Sequence, residues 1–190
     1  YIGRLNLIKG VDILIDSFIK ILKRYPNLNL VIAGPDEGIL LGLKLKIKVA
    51  NLKNRVFFLN FVDKFVRSEL IKNSNFVVIP SRQEAMSIVF LESAIHKKAT
   101  LISENCGLNN LMKFDKKMFF KSSVKDLEMK LNFAINNTKW CRENGKFLEK
   151  YATKNYSWRN IVNEYLEVFE NIQSDNISPN SKVYQFFRQF

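Results

Sequence analysis

The sequence predicts an α/β fold, a doubly wound parallel sheet of about six strands with helices on both faces and a helical C-terminal end. Three observations predict it. Short β-rich runs alternate with segments of helical spacing, the apolar runs are continuous instead of alternating, as in strands covered on both faces, and from Val124 onward only helical patterns remain.

The first run, YIGRL, reads as the second half of a buried strand, so the natural protein is expected to begin upstream of Tyr1. VDILIDSFIKILKRY follows with Ile13, Leu14, Phe18, Ile21 and Leu22 on one stripe, while Asp12, Asp16, Lys20, Lys23 and Arg24 face water. LNLVIAG (Leu28 to Gly34) is the second strand, GPDEG a turn by composition, and ILLGLKLKIKVANL the next helix. RVFFLNF (Arg55 to Phe61) and NFVVIPS (Asn75 to Ser81) are the third and fourth strands, and IVFLESAIHKK is the helix after the fourth. ATLIS (Ala99 to Ser103) and MFFK (Met118 to Lys121) complete the sheet. VKDLEMKLNFAINN, WCRENGKFLEKYATK and SWRNIVNEYLEVFENI make the helical end. Residues 1–172 are expected to form one domain, and 173–190 a tail that opens polar but carries Tyr184, Phe186, Phe187 and Phe190, which could dock.

Composition narrows the function classes. Thirty Lys and Arg against eighteen Asp and Glu give +12, which suits a phosphate-rich ligand, an anionic membrane surface or nucleic acid. Over-use of Lys, Asn, Ile and Phe, as AT-rich coding sequence produces, accounts for the charge equally well. No recognition helix or aromatic-plus-basic motif supports nucleic acid. Cys106 and Cys141 lie far apart and His96 is the single histidine, so neither a disulfide framework nor a Cys/His zinc site is indicated. No apolar run approaches the roughly 20 residues that span a bilayer, and no signal-peptide layout opens the chain. The expectation is a cytoplasmic chain, with peripheral membrane contact open to its basic surface.

In such sheets ligands bind beyond the C-terminal ends of the strands. That brings together GRLNLIKG (Gly3 to Gly10), GPDEG (Gly34 to Gly38) and PSRQEAMS. The first is not GxxxxGK[ST], which argues against a nucleoside triphosphatase. It offers Arg4 where a strand ends and Lys9 beside a helix N-terminus, either a diphosphate site or a surface loop with incidental charges. In SRQEAMSIVFLESA, Ser87 can cap a helix starting about Ile88, leaving Glu84 in the crevice and Glu92 about 7 Å further along the same wall. A carboxylate can take two hydrogen bonds from a vicinal diol. On the residues alone, the alternative stays open that Glu92 pairs with a neighbouring lysine such as Lys97 and Glu84 is solvated.

Read in order, GRLNLIKGVDILIDSF, LNLVIAGPDEG, RVFFLNFV, NFVVIPSRQEAMSIVFLESA and YSWRNIVNEYLEVF resemble the C-terminal, donor-binding domain of retaining GT-B glycosyltransferases, the group 1 set that includes glycogen synthase-like enzymes. The resemblance runs from Gly3 to about Ile172 and implies a Rossmann-like sheet. It implies that Arg4 and Lys9, beside Gly3, bind the donor diphosphate and steady it as leaving group. Glu84 matches the first Glu of the E-x7-E motif, toward the transferred sugar, and Glu92 the second, toward the ribose diol. Ala85, Met86, Ser87 and Ile88 correspond to backbone amides that bind sugar and phosphates. Arg4, Lys9 and Glu84 are thus the expected catalytic residues. The implied substrate is a UDP- or GDP-linked sugar, transferred with retention to an unknown acceptor in glycan, lipopolysaccharide or glycolipid synthesis. No cofactor is implied, and without any DxD no divalent metal is expected.

The departures from the pattern are Ser87 where Gly is usual, Lys97 and Ala99 where Gly and Pro are usual, and Asn109-Asn110 where Pro-Glu commonly follows Gly107. The family's N-terminal, acceptor-binding domain has no counterpart in these residues. The chain is therefore expected to be an incomplete enzyme, a fragment needing that partner domain. The alternative is a non-catalytic or decayed nucleotide-sugar binding domain. An epimerase of the same two-domain architecture fits the GRLNLIKG loop poorly.

Overall fold

The apolar stripe after the first glycine loop forms a helix, α1 (Val11–Leu22), whose inner face is wholly buried. The computed structural model describes residues 1–173, and the chain divides into two units between Glu149 and Lys150. The aromatic residues of the tail, Tyr184 to Phe190, lie outside the described residues.

The strands and helices of the first unit alternate in chain order: β1 (Leu30–Ala33), α2 (Leu40–Val49), β2 (Val56–Leu59), α3 (Lys64–Asn73), β3 (Phe76–Ile79), α4 (Ile88–Ile95), β4 (Ala99–Ser103), β5 (Phe119–Phe120) and α5 (Val124–Asn136). Two helices follow, α6 (Thr138–Tyr156) and α7 (Trp158–Gln173). Every strand pairing is parallel: β1 lies on β2 with Leu30 opposite Val56, and β3, β4 and β5 lie side by side with Phe76 opposite Ala99 and Ile102 opposite Phe119. The Rossmann-like reading of the sequence therefore holds.

Among the described residues five regular strands stand where about six were expected. YIGRL runs beside β1 and is joined to it by two isolated parallel bridges, Ile2 to Ala33 and Leu5 to Asp36. Gly3 and Gly34 are the reason it can come so close: a Cβ on Gly34 would lie 1.9 Å from the Gly3 carbonyl oxygen. The Gly3 N–H donates to Ala33 O at 2.9 Å and the Leu5 N–H to Pro35 O at 2.8 Å, so the backbone groups stay paired although the geometry is irregular.

The periodicity does not bring out α3. Only Ile71 on it is fully buried, Phe65 and Val66 stand exposed, and the charged Lys64, Arg67, Glu69 and Lys72 break up the apolar spacing. It begins with a local signal instead: the Asp63 carboxylate accepts from the Val66 N–H at 2.8 Å, an N-cap. The core lies between α1, α5 and the sheet. Leu127, Leu131 and Ala134 of α5 pack on α1, and the buried Ser17 hydroxyl lies 2.7 Å from Ile13 O and 3.1 Å from Val124 O.

The turn after α4 sets how closely α6 can approach. Lys97 sits at φ 57°, in the left-handed region that glycine adopts freely, which gives a physical reason for the usual glycine there. Its carbonyl faces Gly145 of α6, where a Cβ would lie 2.0 Å from Lys97 O. In an exposed helix Gly→Ala stabilises by about 1 kcal/mol. Here Gly145→Ala is expected to destabilise by about 1–3 kcal/mol through overpacking, read as a lower denaturation midpoint. A midpoint that rises would mean that the two backbones do not touch.

Candidate functional site

The loop between Leu5 and α1 is short and self-bonded. The Asn6 side chain accepts from the Lys9 N–H at 2.9 Å, and Gly10 leaves the loop at φ 67°. A Cβ at Gly10 would lie 2.0 Å from the Pro80 carbonyl oxygen, so the loop rests directly on the chain leaving β3. This contact carries the Lys9 side chain toward the β3–α4 loop. Its Nζ lies 3.0 Å from Glu84 Oε1, and the two side chains are only 20 % and 15 % exposed.

Glu84 is fixed from three sides. Ser81 Oγ donates to its Oε2 at 2.8 Å, its own N–H donates to Asn105 O at 3.0 Å, and the neighbouring Ala85 carbonyl is so near Gly107 that a Cβ there would lie 1.8 Å from it. The reading of Glu84 as a solvated loop residue is thereby excluded. Beneath it Cys106 is buried, and burial, with Glu84 adding and Lys9 opposing, pushes its thiol up to about 12. At neutral pH it is a packed thiol and not a nucleophile.

Arg4 and Lys9 pair with different carboxylates, although both charges act on Glu37. Arg4 Nη1 lies 3.0 Å from Glu37 Oε1 with its side chain 60 % exposed. Asn6 Nδ2 donates to the other Glu37 oxygen at 2.5 Å. Hydrogen bonding from Asn6, more than the Arg4 charge, holds the Glu37 carboxyl below the usual range against a smaller opposing effect of burial. Asp36 beside it accepts from the N–H groups of Gly38, Ile39 and Leu40 at 2.9–3.0 Å, so the GPDEG turn also takes up the first N–H of α2.

Ala85 and Met86 lead into α4, and Ser87 stands at its N-cap with Ile88 as first helical residue, as the sequence predicts. The Ser87 hydroxyl itself makes no capping bond, which corrects that part of the expectation. Glu92 does not pair with Lys97; Lys97 reaches Glu149 at 3.3 Å, and Glu92 Oε1 accepts from Arg67 Nη1 at 2.8 Å. The other Glu92 oxygen and Arg67 Nε are buried without a hydrogen-bond partner. An unmet charged group of this kind costs at least on the order of 1–3 kcal/mol.

Arg82 is the residue that sequence reasoning passed over. Its N–H donates to Ile8 O at 2.7 Å, and its guanidinium forks onto Asp12 at 2.8 and 2.7 Å and also donates to Leu7 O. Asp12, read from periodicity as facing water, is thus part of a staple between the Lys9 loop and the Glu84 loop. Burial alone would raise its carboxyl, but the Arg82 hydrogen bonds and charge hold it below the usual range. Arg82 was visible as a cation two residues before Glu84; Arg67 lay on a helix that had no periodic signal. An apolar groove of about 600 Å³ lined by Tyr1, Phe18, Val31, Val77 and Leu131 contains none of Arg4, Lys9, Glu84 or Glu92. Among the described residues no three His, Cys, Asp or Glu side chains gather as a metal site would require.

Residues 1–157 match the family described as Glycosyl transferases group 1. An uncharacterised glycosyltransferase of Methanocaldococcus jannaschii is 28 % identical over 174 residues, covering 90 % of this chain and 44 % of that protein. One of Bacillus subtilis is 28 % identical over 173 residues, covering 90 % and 48 %. The chain thus spans less than half the length of these relatives. Among solved structures, Anabaena HepE in complex with UDP superposes with a TM-score of 0.80 at 20 % identity, over 90 % of this chain and 47 % of that one. The C-terminal domain of a group 1 glycosyl transferase from Francisella tularensis superposes with 0.74 at 23 % identity, over 83 % and 85 %.

The Arg82–Asp12 staple generates a pH signature. Because the folded Asp12 pKa is lowered, its contribution is fully present above the unfolded carboxylate value of about 3.9 and is lost as pH falls through the folded value. For a partly exposed pair worth about 1 kcal/mol, Arg82→Ala is expected to lower Tm by about 2–4 °C at neutral pH. The gap to the unaltered chain should narrow as the pH falls below 4 through the lowered Asp12 value, leaving only the part due to the Leu7 O bond. Thermal melts of both proteins across that range test it, and a gap independent of pH would sink the staple.

Proposed function

Since the chain belongs to the glycosyl transferases group 1 family, we propose that it is the donor-binding domain of a glycosyltransferase, taking a UDP- or GDP-linked sugar whose glycosyl group is transferred with retention once an acceptor-binding domain completes the cleft. The observation that carries this reading is the shielded Lys9–Glu84 pair at the C-terminal edge of the sheet. A cation and a carboxylate from two different loops, stapled together beside the N-terminus of α4, offer opposite charges to the two ends of a sugar diphosphate bond.

In this proposal the arriving diphosphate draws Lys9 from Glu84, and Arg4, on its exposed side chain, swings from Glu37 to the same phosphates. Glu84, still held by Ser81, is then free to accept from a hydroxyl of the sugar. The α4 N-terminus, with no side-chain cap from Ser87, leaves its first N–H groups to the phosphates. Departure of the nucleoside diphosphate is the step these cations serve, since negative charge grows there as the glycosidic bond breaks. The UDP held by the Anabaena neighbour supports the ligand class.

Glu92 is assigned to the ribose diol, and its geometry adds a condition. Oε1 is already taken by Arg67 and Oε2 is sealed, so ribose reaches this carboxylate only if the Arg67–Glu92 pair turns. Such a turn gives the unmet oxygen a donor, and the partner gained offsets the bond disturbed.

Calorimetric titration of the chain with UDP and with GDP tests the assignment. Arg4→Ala and Lys9→Ala are each expected to weaken binding by about 1.5–3 kcal/mol, the size of a charge-assisted hydrogen bond. Glu92→Ala should weaken it as well, whereas Glu84→Ala, which releases Lys9 from its carboxylate partner, should leave free nucleotide bound at least as tightly, because Glu84 is reserved for the sugar. Unchanged affinity in both cation variants would remove the diphosphate site; equal losses at Glu84 and Glu92 would remove the division between sugar and ribose.

A further inference from the structure

The helix α2 carries two apolar faces, and only one is used by the fold. Leu43 and Ile47 point into the core, each 3 % exposed. Leu41, Leu45 and Val49 are 73 %, 54 % and 88 % exposed. Their spacing of four residues places them within about 80° of one another around the helix and along about 12 Å of its length. They form a continuous outward stripe and not scattered exposed residues.

The charges around this stripe are mostly positive. Between Glu37 and Asp63 the chain holds Lys44, Lys46, Lys48, Lys53 and Arg55 and no acidic residue. Lys46 is tied to Asp16 at 2.7 Å, while Lys44 and Lys48, which flank the stripe, are exposed and have no salt bridge among the described residues. The nearest acids in sequence are already engaged, Asp36 by the N–H groups of Gly38, Ile39 and Leu40 and by the nearby charge of Lys44, Glu37 by Arg4 and Asn6. Exposed Leu and Val without aromatic anchors, edged by unpaired Lys, is the wrong composition for the centre of a protein interface, where Trp, Tyr and Arg are enriched and Lys is depleted. Exposed Leu with cations along its edge is the pattern of a helix lying in the headgroup region of an anionic bilayer.

We propose that the outward face of α2 is a membrane-contact surface, with Leu41, Leu45 and Val49 entering the boundary between headgroups and acyl chains and Lys44, Lys48 and Lys53 meeting anionic lipid phosphates. The contact is peripheral: none of the described helices is long and apolar enough to cross a membrane. It is independent of the glycosyl-transfer reading, since the face shares no residue with the Lys9–Glu84 cluster and is assayed without nucleotide.

Sedimentation of the purified chain with phosphatidylcholine vesicles, and with vesicles of equal parts phosphatidylcholine and phosphatidylglycerol, is the test. The chain is expected to bind the anionic vesicles and not the neutral ones, with affinity falling as salt rises. Lys44→Gln and Lys48→Gln should each cost about fivefold, from roughly 1 kcal/mol per cation near the surface. Leu41→Ser with Leu45→Ser and Val49→Ser should cost about tenfold or more. Because all five side chains are exposed, circular dichroism and Tm should stay as in the unaltered chain. No binding to either vesicle, equal binding to both, or binding that survives the triple substitution overturns the proposal. So does a triple variant that dissociates oligomers of the lipid-free chain, which would make the stripe a contact between copies.

Discussion

The loop before α1 and the chain leaving β3 touch at Gly10 and Pro80 more closely than any side chain would allow, with space for a hydrogen but not for a methyl group. The candidate site depends on that contact. It brings the Lys9 loop onto the Glu84 loop, and Arg82 then bonds Leu7, Ile8 and Asp12 across the seam. Similar approaches occur at Gly34 on Gly3 and at Gly107 on Ala85, so three backbone crossings lie at loops that leave the strands. A scaffold of fixed backbones is what a site needs if its charged groups are to keep their places when a charged ligand arrives.

The charges in that scaffold are arranged in pairs of unequal weight. Lys9 and Glu84 are mostly removed from water, so their attraction and the cost of losing one partner both exceed those of Arg4 and Glu37, which stand largely in solvent. Arg67 and Glu92 are the intermediate case: a bonded pair that leaves an atom of each partner sealed and unmet. Such a pair holds its present geometry with less advantage than the Lys9–Glu84 pair, whose carboxylate is also met by Ser81. A ligand offering hydroxyl donors has more to gain at Glu92 than at a carboxylate already satisfied.

Much of the layer order was legible because strands show as continuous apolar runs, and LVIA, VFFL, FVVI and ATLIS all became strands, although Phe57 of VFFL is exposed. The stripe of α1 and the start of α4 at Ile88 were legible for the same kind of reason, since periodicity and capping residues are local. What was not legible was either weakly apolar or long-range. The helix α3 buries too little to show a period, and with it Arg67 was missed. Asp12 sits on the polar side of the α1 stripe, where periodicity assigns it to water, and only the fold brings Arg82 to meet it. Of the site residues, Lys9 and Glu84 were brought together as their place at strand ends suggests, whereas Arg4 found a nearer acid in Glu37.

The excess of positive charge shows why composition could not choose among partners. A net charge of +12 would be the same number whether the cations gathered in a phosphate site, spread over a membrane-facing surface or solvated the outer helices. In the fold they divide. Around the strand ends Arg4, Lys9, Arg67 and Arg82 are each matched by a carboxylate, so the site is close to locally neutral, and its affinity for a diphosphate must come from exchanging partners and not from unbalanced charge. On α2 Lys46 is matched by Asp16, but Lys44 and Lys48 form no salt bridge among the described residues, so that face keeps a positive excess that attracts anions before any contact is made. Raised salt screens such an exposed, unpaired set more than it screens shielded pairs. The two surfaces therefore separate by ionic strength even though both are rich in the same residues.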